Sequence, residues 1–223
     1  VKVLIGIDFS LNSPAFCIRR ENNFIWGSLT RSDRNENSLK KSKDKPFFVL
    51  DGMKEFFLSF LEKKSIPEEY SEKERIKIVY FMELVDHFWS SIEKHCLPGD
   101  EVYVAIEGLS FASNGNALID ISMATALLRK KIMDFSGPER FYVFSPTSVK
   151  KFALKGNAKK DELYHRIMEM QLPETNLHTF TNALKDHQDS WITPKRNINK
   201  PIDDIIDATW ICLFLGHEIE PKN

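Results

Sequence analysis

Ile5-Gly6-Ile7-Asp8-Phe9-Ser10 is the stretch on which the fold of this chain turns. Val1 to Ile7 is apolar except at Lys2 and Gly6, and mostly β-branched, the composition of a buried strand. That run ends on an aspartate. An ionised carboxylate beside a buried strand is costly unless something compensates its charge. Taken alone, Asp8 reads equally well as a turn or cap residue ahead of Ser10, because acids commonly end strands.

Two distant segments repeat the arrangement. Val104-Ala105-Ile106-Glu107-Gly108 is a second short apolar strand closing on an acid, with a glycine behind it that permits close approach of backbone or ligand. Asp203-Asp204-Ile205-Ile206-Asp207-Ala208 opens a helix that is apolar almost all round, through Trp210, Ile211 and Leu213. Asp204 and Asp207 are three apart and Asp203 and Asp207 four apart, so either of the first two shares a helix face with Asp207. The helix dipole accounts for an acid in the first turn, at Asp203 or Asp204, and accounts less well for Asp207. Acids far apart in sequence that each abut an apolar element point to one site assembled by the fold. A divalent cation is the simplest compensation for them. The chain therefore reads as a metal-dependent phosphoryl-transfer enzyme ahead of a binding module.

Composition bounds the alternatives. At 223 residues the chain suits one domain, 1–223, with insertions at about 31–95 and 171–200. The formal net charge of −1 does not by itself indicate nucleic acid, but an average hides basic patches when acids are concentrated in one place. Cys17, Cys96 and Cys212 are far apart, which excludes a CxxC zinc site or a disulfide framework and points to a reducing compartment. No apolar run reaches membrane-spanning length and no signal-peptide pattern is present. The expectation is a soluble intracellular protein of the cytoplasm, nucleoid or another DNA-containing compartment, with no membrane partner. Ser10 and Ser110 have no histidine at a useful spacing, and the six histidines form no HxH or HxxxH pair, so nucleophilic triads and zinc hydrolysis lack support.

Along the chain, Pro14 to Arg20 and Asn23 to Leu29 read as two further strands joined by a turn, giving an antiparallel meander with the first. Arg31 to Pro46 reads as a polar loop. Phe47 to Lys63 shows helical spacing at Leu50, Met53, Phe57 and Phe60-Leu61, and Glu72 to His95 shows it at Ile76, Val79, Leu84 and Phe88. After the strand Val102 to Ile106 comes a loop, Leu109 to Asn116. A helix over Ala117 to Phe135, a strand over Arg140 to Phe144 and a short helix led by Pro146 follow. Asp161 to Met170 and Ile202 to Leu215 are the last predicted helices, with Gln171 to Lys200 largely irregular between them. Three strands followed by alternating helices and strands predict a mixed sheet with helices on both faces.

Lys150 to Lys160 carries five lysines, Lys150, Lys151, Lys155, Lys159 and Lys160, and no acid, around Gly156-Asn157. Lys155 to Lys160 reads as a basic loop, and such a stretch suits phosphate contacts, although a solvated loop is the commoner use of a charge run. Arg129-Lys130-Lys131 reads as a cluster near a helix C-terminus.

In their order and spacing these segments resemble the RuvC-type Holliday junction resolvases of the ribonuclease H and retroviral-integrase superfamily. The motifs that carry the resemblance are Ile5-Gly6-Ile7-Asp8, Ala105-Ile106-Glu107 and Asp204-Ile205-Ile206-Asp207-Ala208, with Pro146-Thr147-Ser148-Val149-Lys150-Lys151 and Gly156-Asn157-Ala158-Lys159-Lys160 between them. Asp8-Phe9-Ser10 stands where the family has Asp-x-Gly or Asp-Pro-Gly, and the two insertions exceed what a compact resolvase needs.

The resemblance implies a ribonuclease H-like α/β fold and magnesium-dependent hydrolysis of DNA phosphodiesters at four-way junctions. It implies that Asp8, Glu107, Asp204 and Asp207 hold two Mg2+ ions, for which Mn2+ can substitute. It places Lys159 near the scissile phosphate, Lys150, Lys151, Lys155 and Lys160 on DNA, and Phe111 as the aromatic that helps open the junction. It also implies a homodimer with its two sites on opposing strands. The alternatives are a related nuclease acting on flaps, forks or RNA–DNA hybrids, a packaging-terminase nuclease domain, and a non-catalytic junction-binding protein. A sugar-kinase or actin-like ATPase shares the acidic first strand but would need glycine-rich phosphate loops that this sequence lacks.

Overall fold

The computed structural model describes residues 1–32, 56–62, 65, 67–109, 115–170, 172, 175–186, 188, 192 and 198–220. Its centre is β1 (Lys2–Asp8), whose side chains from Val3 to Ile7 are buried. β2 (Ala15–Arg20) and β3 (Asn23–Ser32) follow antiparallel in turn, as the meander predicts. β4 (Phe56–Glu62), β5 (Glu101–Glu107) and β6 (Phe141–Phe144) complete a mixed sheet in the order β4-β3-β2-β1-β5-β6. β1, β5 and β6 run parallel, and β2 alone opposes them. Parallel neighbours require crossovers, and between β5 and β6 a helix over Asn116–Ser136 supplies it. This is the ribonuclease H-like α/β arrangement.

Helices cover both faces. On one face lie α1 (Tyr70–Glu93) and α2 (Asn116–Ser136). They bury Phe81, Leu84, Phe88, Trp89, Leu128 and Ile132 against Val3, Ile5 and Ile7. On the other lie α3 (Pro146–Ala153), α4 (Lys160–Glu169), α5 (Leu177–Asp186) and α6 (Ile202–Ile219). These pack against the opposite side chains of the sheet, among them Leu4, Cys17 and Trp26. Alternation along β1 thus feeds two cores from one strand.

Three sequence expectations require correction. Phe56–Glu62 is a strand paired in parallel with β3, from Trp26↔Phe56 to Ser32↔Glu62, and not the end of a helix. Phe56-Phe57-Leu58 and Phe60-Leu61 are apolar at nearly every position, so they satisfy either period. The unpaired edge of β3 and the aromatic content decide for strand. Leu50 and Met53, which carried the rest of the helical spacing, lie outside the described residues, as does most of the predicted loop at 31–46.

The second correction concerns 171–200, where α5 stands in place of an irregular segment. Leu177, Phe180, Thr181 and Leu184 are buried at helical spacing. Phe180 stacks on Trp26 with ring centroids 4.6 Å apart. Just before α5, the Asn176 side chain accepts from the Phe24 amide at 2.6 Å and donates to the Phe24 carbonyl at 2.9 Å. It thereby satisfies a stretch of β3 that β4 does not reach. Likewise α1, read as part of an insertion, supplies much of one core. The third correction concerns the loop predicted over Lys155 to Lys160, which ends one residue early: Lys159 is the N-cap and Lys160 the first residue of α4.

Candidate active site

The parallel register of β1 and β5 pairs Ile7 with Ile106, so one step further Asp8 and Glu107 end adjacent strands side by side. The carboxyl ends of parallel strands are where α/β sheets build their sites. α6 reaches this edge because it lies directly on β1. A Cβ on Gly6 would fall 2.3 Å from the Ala208 carbonyl oxygen and 2.3 Å from the Cys212 amide nitrogen. No side chain fits there, and the close approach brings the first two turns of α6, with Asp203, Asp204 and Asp207, over the strand ends.

The acids act on one another. Burial raises Asp8 well above the usual carboxylate range, and the charges of Asp207, Asp204 and Glu107, in that order, raise it further. Burial pushes Glu107 up to about 7, with Asp207 adding to it and Lys150 and Lys160 opposing. Asp207 is pushed up to about 6, again chiefly by burial. Asp204 is raised by burial and by Asp203, despite its own lysine partner. This is the pattern of carboxylates gathered without enough positive charge.

Two lysines supply part of what is missing. Lys160 Nζ donates to Asp203 Oδ2 at 2.7 Å and stands 3.4 Å from Asp207 Oδ2. Lys200 Nζ donates to both oxygens of Asp204 at 2.8 Å, and the Ser13 hydroxyl donates to Asp204 Oδ2 at 2.5 Å. With the ammonium groups in these positions, no three His, Cys, Asp or Glu side chains among the described residues are arranged to hold a metal ion. The donor set itself, carboxylate oxygens only, suits a hard divalent cation. The raised titration of four of these acids is the unrelieved charge that such a cation would offset. Asp203 Oδ1 is buried with no hydrogen-bond partner, a further acceptor at the same place.

The structure thus brings Asp8, Glu107, Asp204 and Asp207 together, with Asp203 beside them. It separates the lysines of 150–160. Lys160 belongs to the acidic group, whereas Lys159, expected next to the scissile phosphate, caps α4 with its amide donating to Glu162 Oε2 at 2.7 Å. Lys155 is ion-paired with Glu162. Lys150 acts on Glu107 from the last turn of α3, and Lys151 beside it is exposed. Phe111 and Ser110 lie outside the described residues.

Sequence reasoning missed Ser13 and Lys200. Lys200 stands four residues before Asp204, the spacing of a helical ion pair, but Pro201 between them obscured it. Ser13 carried no signal beyond lying in the loop after Asp8.

No protein-family model matches the chain, and no curated protein sequence matches it. Among solved structures it is similar to Thermus thermophilus RuvC, at 15% identity and a TM-score of 0.43 over 97% of this chain and 96% of that one. It is also similar to T. thermophilus RuvC in complex with Holliday junction substrate, at 12% identity and a TM-score of 0.44 over 99% of this chain and 97% of that one. Among the described residues, no helix is long and apolar enough to cross a membrane.

Proposed function

We propose that this chain is a magnesium-dependent endodeoxyribonuclease that resolves four-way DNA junctions by phosphodiester hydrolysis. The observation that carries the reading is the gathering of Asp8, Glu107, Asp204 and Asp207 at the carboxyl edge of a ribonuclease H-like sheet, with charges that raise one another. The order of the acidic motifs supports it.

In this reading Asp8, Glu107, Asp204 and Asp207 hold two Mg2+ ions, replaceable by Mn2+. Such ions, when bound, supply an activated water and stabilise the leaving 3′ oxygen. The chain does the rest with its own residues. Lys159 and Lys151 contact phosphates next to the acids, where their charge opposes repulsion between DNA and carboxylates. Lys150 faces Glu107 and Lys160 faces Asp207, so positive charge flanks the position where negative charge develops on the phosphate. Lys155 lies further along the same path. Two copies acting as a homodimer would set one site on each of two opposing strands of the junction. The compartment follows the substrate, one that holds DNA.

The test is cleavage of a four-way junction by purified protein with Mg2+, with Mn2+ and with chelator. Flap, fork, linear duplex and RNA–DNA hybrid substrates are run in parallel. Asp8→Asn and Glu107→Gln are expected to abolish cleavage while retaining junction binding. Cation-independent cleavage, or full activity in either variant, would overturn the assignment. A preference for flaps or hybrids would keep the chemistry and change the substrate.

A further inference from the structure

Asp204 is the most fully engaged carboxylate of the group. Lys200 Nζ donates to each of its oxygens at 2.8 Å, Ser13 Oγ donates to Oδ2 at 2.5 Å, and Lys200 Nζ also donates to Ser13 Oγ at 3.0 Å. The serine hydroxyl has one proton, which goes to Asp204, so it accepts from the lysine. Serine, aspartate and lysine form a closed ring.

The members of that ring differ in freedom. Ser13 is 5% exposed and Asp204 3% exposed, both fixed by the packing around them. The Lys200 side chain is 54% exposed and lies outside the helix, ahead of the N-cap Pro201. Its ammonium can therefore move into water at small cost, whereas the carboxylate it neutralises cannot follow. The buried carboxylate left behind needs another cation in place of the ammonium, and a doubly charged ion compensates it more strongly than a single ammonium does. Lys160 differs in being shared between Asp203 and Asp207, and its nearest partner, Asp203, lies outside the four acids assigned to the cations.

We infer that Lys200 is a resident counter-ion of Asp204 that a divalent cation must displace, so this lysine sets the protein's affinity for the cation. The inference rests on the reading of Asp204 as a cation ligand. It gives Lys200 a role opposite to support: the lysine holds the carboxylate ready and weakens cation binding in the absence of DNA. A DNA phosphate arriving at the site offers the displaced ammonium another partner, which ties cation binding to substrate.

The experiment is a titration of the DNA-free protein with Mn2+, followed by electron paramagnetic resonance of the free ion, at fixed ionic strength and pH 8. Wild type is compared with Lys200→Met, which keeps the aliphatic stem and removes the charge. Lys200→Gln keeps a hydrogen-bond donor for Asp204 without charge, and Lys200→Arg keeps the charge. Both neutral variants are expected to bind Mn2+ roughly tenfold tighter than wild type, the scale of removing one like charge a few ångströms away. The arginine variant is expected to bind no tighter than wild type. Neutral variants that bind equally or more weakly than a wild type that does bind would overturn this inference and leave the metal reading standing. Binding by the neutral variants alone would support displacement. Absence of binding in every variant would overturn both.

Discussion

Gly6 in β1 and Cys212 in α6 are in direct backbone contact: a Cβ on the glycine would lie 2.3 Å from the Cys212 amide nitrogen and 2.8 Å from its Cα. Neither neighbour is the flexible end of a side chain, so neither can give way. This contact sets the distance of the helix from the sheet, and with it the reach of Asp204 and Asp207 to the ends of β1 and β5. Gly6→Ala is expected to lower stability by about 3 kcal/mol, the upper part of the usual range for overpacking. It is also expected to weaken cation binding, because α6 must shift outward. Urea unfolding with and without Mg2+ checks both effects. A neutral substitution would mean that the helix is not seated by this contact.

Asp8 and Glu107 were legible in the sequence because each closes a run of buried apolar residues, and a strand of that kind fixes where its last side chain goes. Asp207 was legible because its helix has no polar face to hold it. The exchange between Lys159 and Lys160 was not legible, since it depends on where a helix starts within a run of polar residues, and one residue of difference rotates a side chain by about 100°. Phe57 misled for a different reason: a run that is apolar at nearly every position satisfies either period. α5 shows the converse. Leu177, Phe180, Thr181 and Leu184 had a clear helical period, which the surrounding polar residues obscured.

The metal-free protein is expected to lose stability as pH rises from about 4 to about 7. Burial and mutual repulsion raise Glu107 from 4.5 to about 7 and Asp207 from 3.8 to about 6, and Asp8 and Asp204 shift in the same direction. Through that window the folded protein holds protons that the unfolded chain has released, so stability falls as pH rises. One group works against this. Burial lowers His95 from 6.5 to about 4, so the unfolded chain binds its proton first and stability rises with pH between those values. The acids outnumber it. His95→Phe, which keeps a ring packed on Phe57, is therefore expected to steepen the decline, and Glu107→Gln to flatten it. Saturating Mg2+ is expected to remove most of it. Urea midpoints at pH 5 and pH 8, in chelator and in Mg2+, check the sign; a metal-free protein more stable at pH 8 would contradict the crowding of the acids.

Asp203 and Asp204 are adjacent and differ in their partners, with Ser13 and Lys200 on Asp204. The charges of Asp207, Asp204 and Glu107 raise Asp8, which supports the proposal that Asp204 belongs with the first strand's acid. Asp203 instead holds Lys160. Asp204→Asn is expected to eliminate cleavage. Asp203→Asn is expected to reduce it no more than about tenfold, by about 1.4 kcal/mol of transition-state stabilisation, through a less well-placed Lys160. Single-turnover rates with saturating Mg2+ distinguish the two, and the reverse order of severity would assign the cation to Asp203.

The lysines between 150 and 160 divide by what already holds them. Lys155 is paired with Glu162 and Lys160 with Asp203 and Asp207, whereas no ion pair among the described residues ties Lys151 or Lys159. A lysine already neutralised by an acid releases little counter-ion when a phosphate arrives. Lys151→Ala with Lys159→Ala is therefore expected to weaken junction binding and to reduce the log–log salt slope by about 0.9 for each lost contact on duplex arms. Lys155→Ala is expected to change the slope little. Lys160→Ala should act differently again, altering turnover and cation affinity more than the slope, because its partners are the acids. Neither lysine pair has base-reading geometry, so preference among cleavage sequences should be preserved. Binding measured across a salt titration, with catalysis silenced by Asp8→Asn, separates these outcomes. An unchanged slope in the Lys151 and Lys159 double variant would return this part of the surface to solvent and move the DNA path elsewhere.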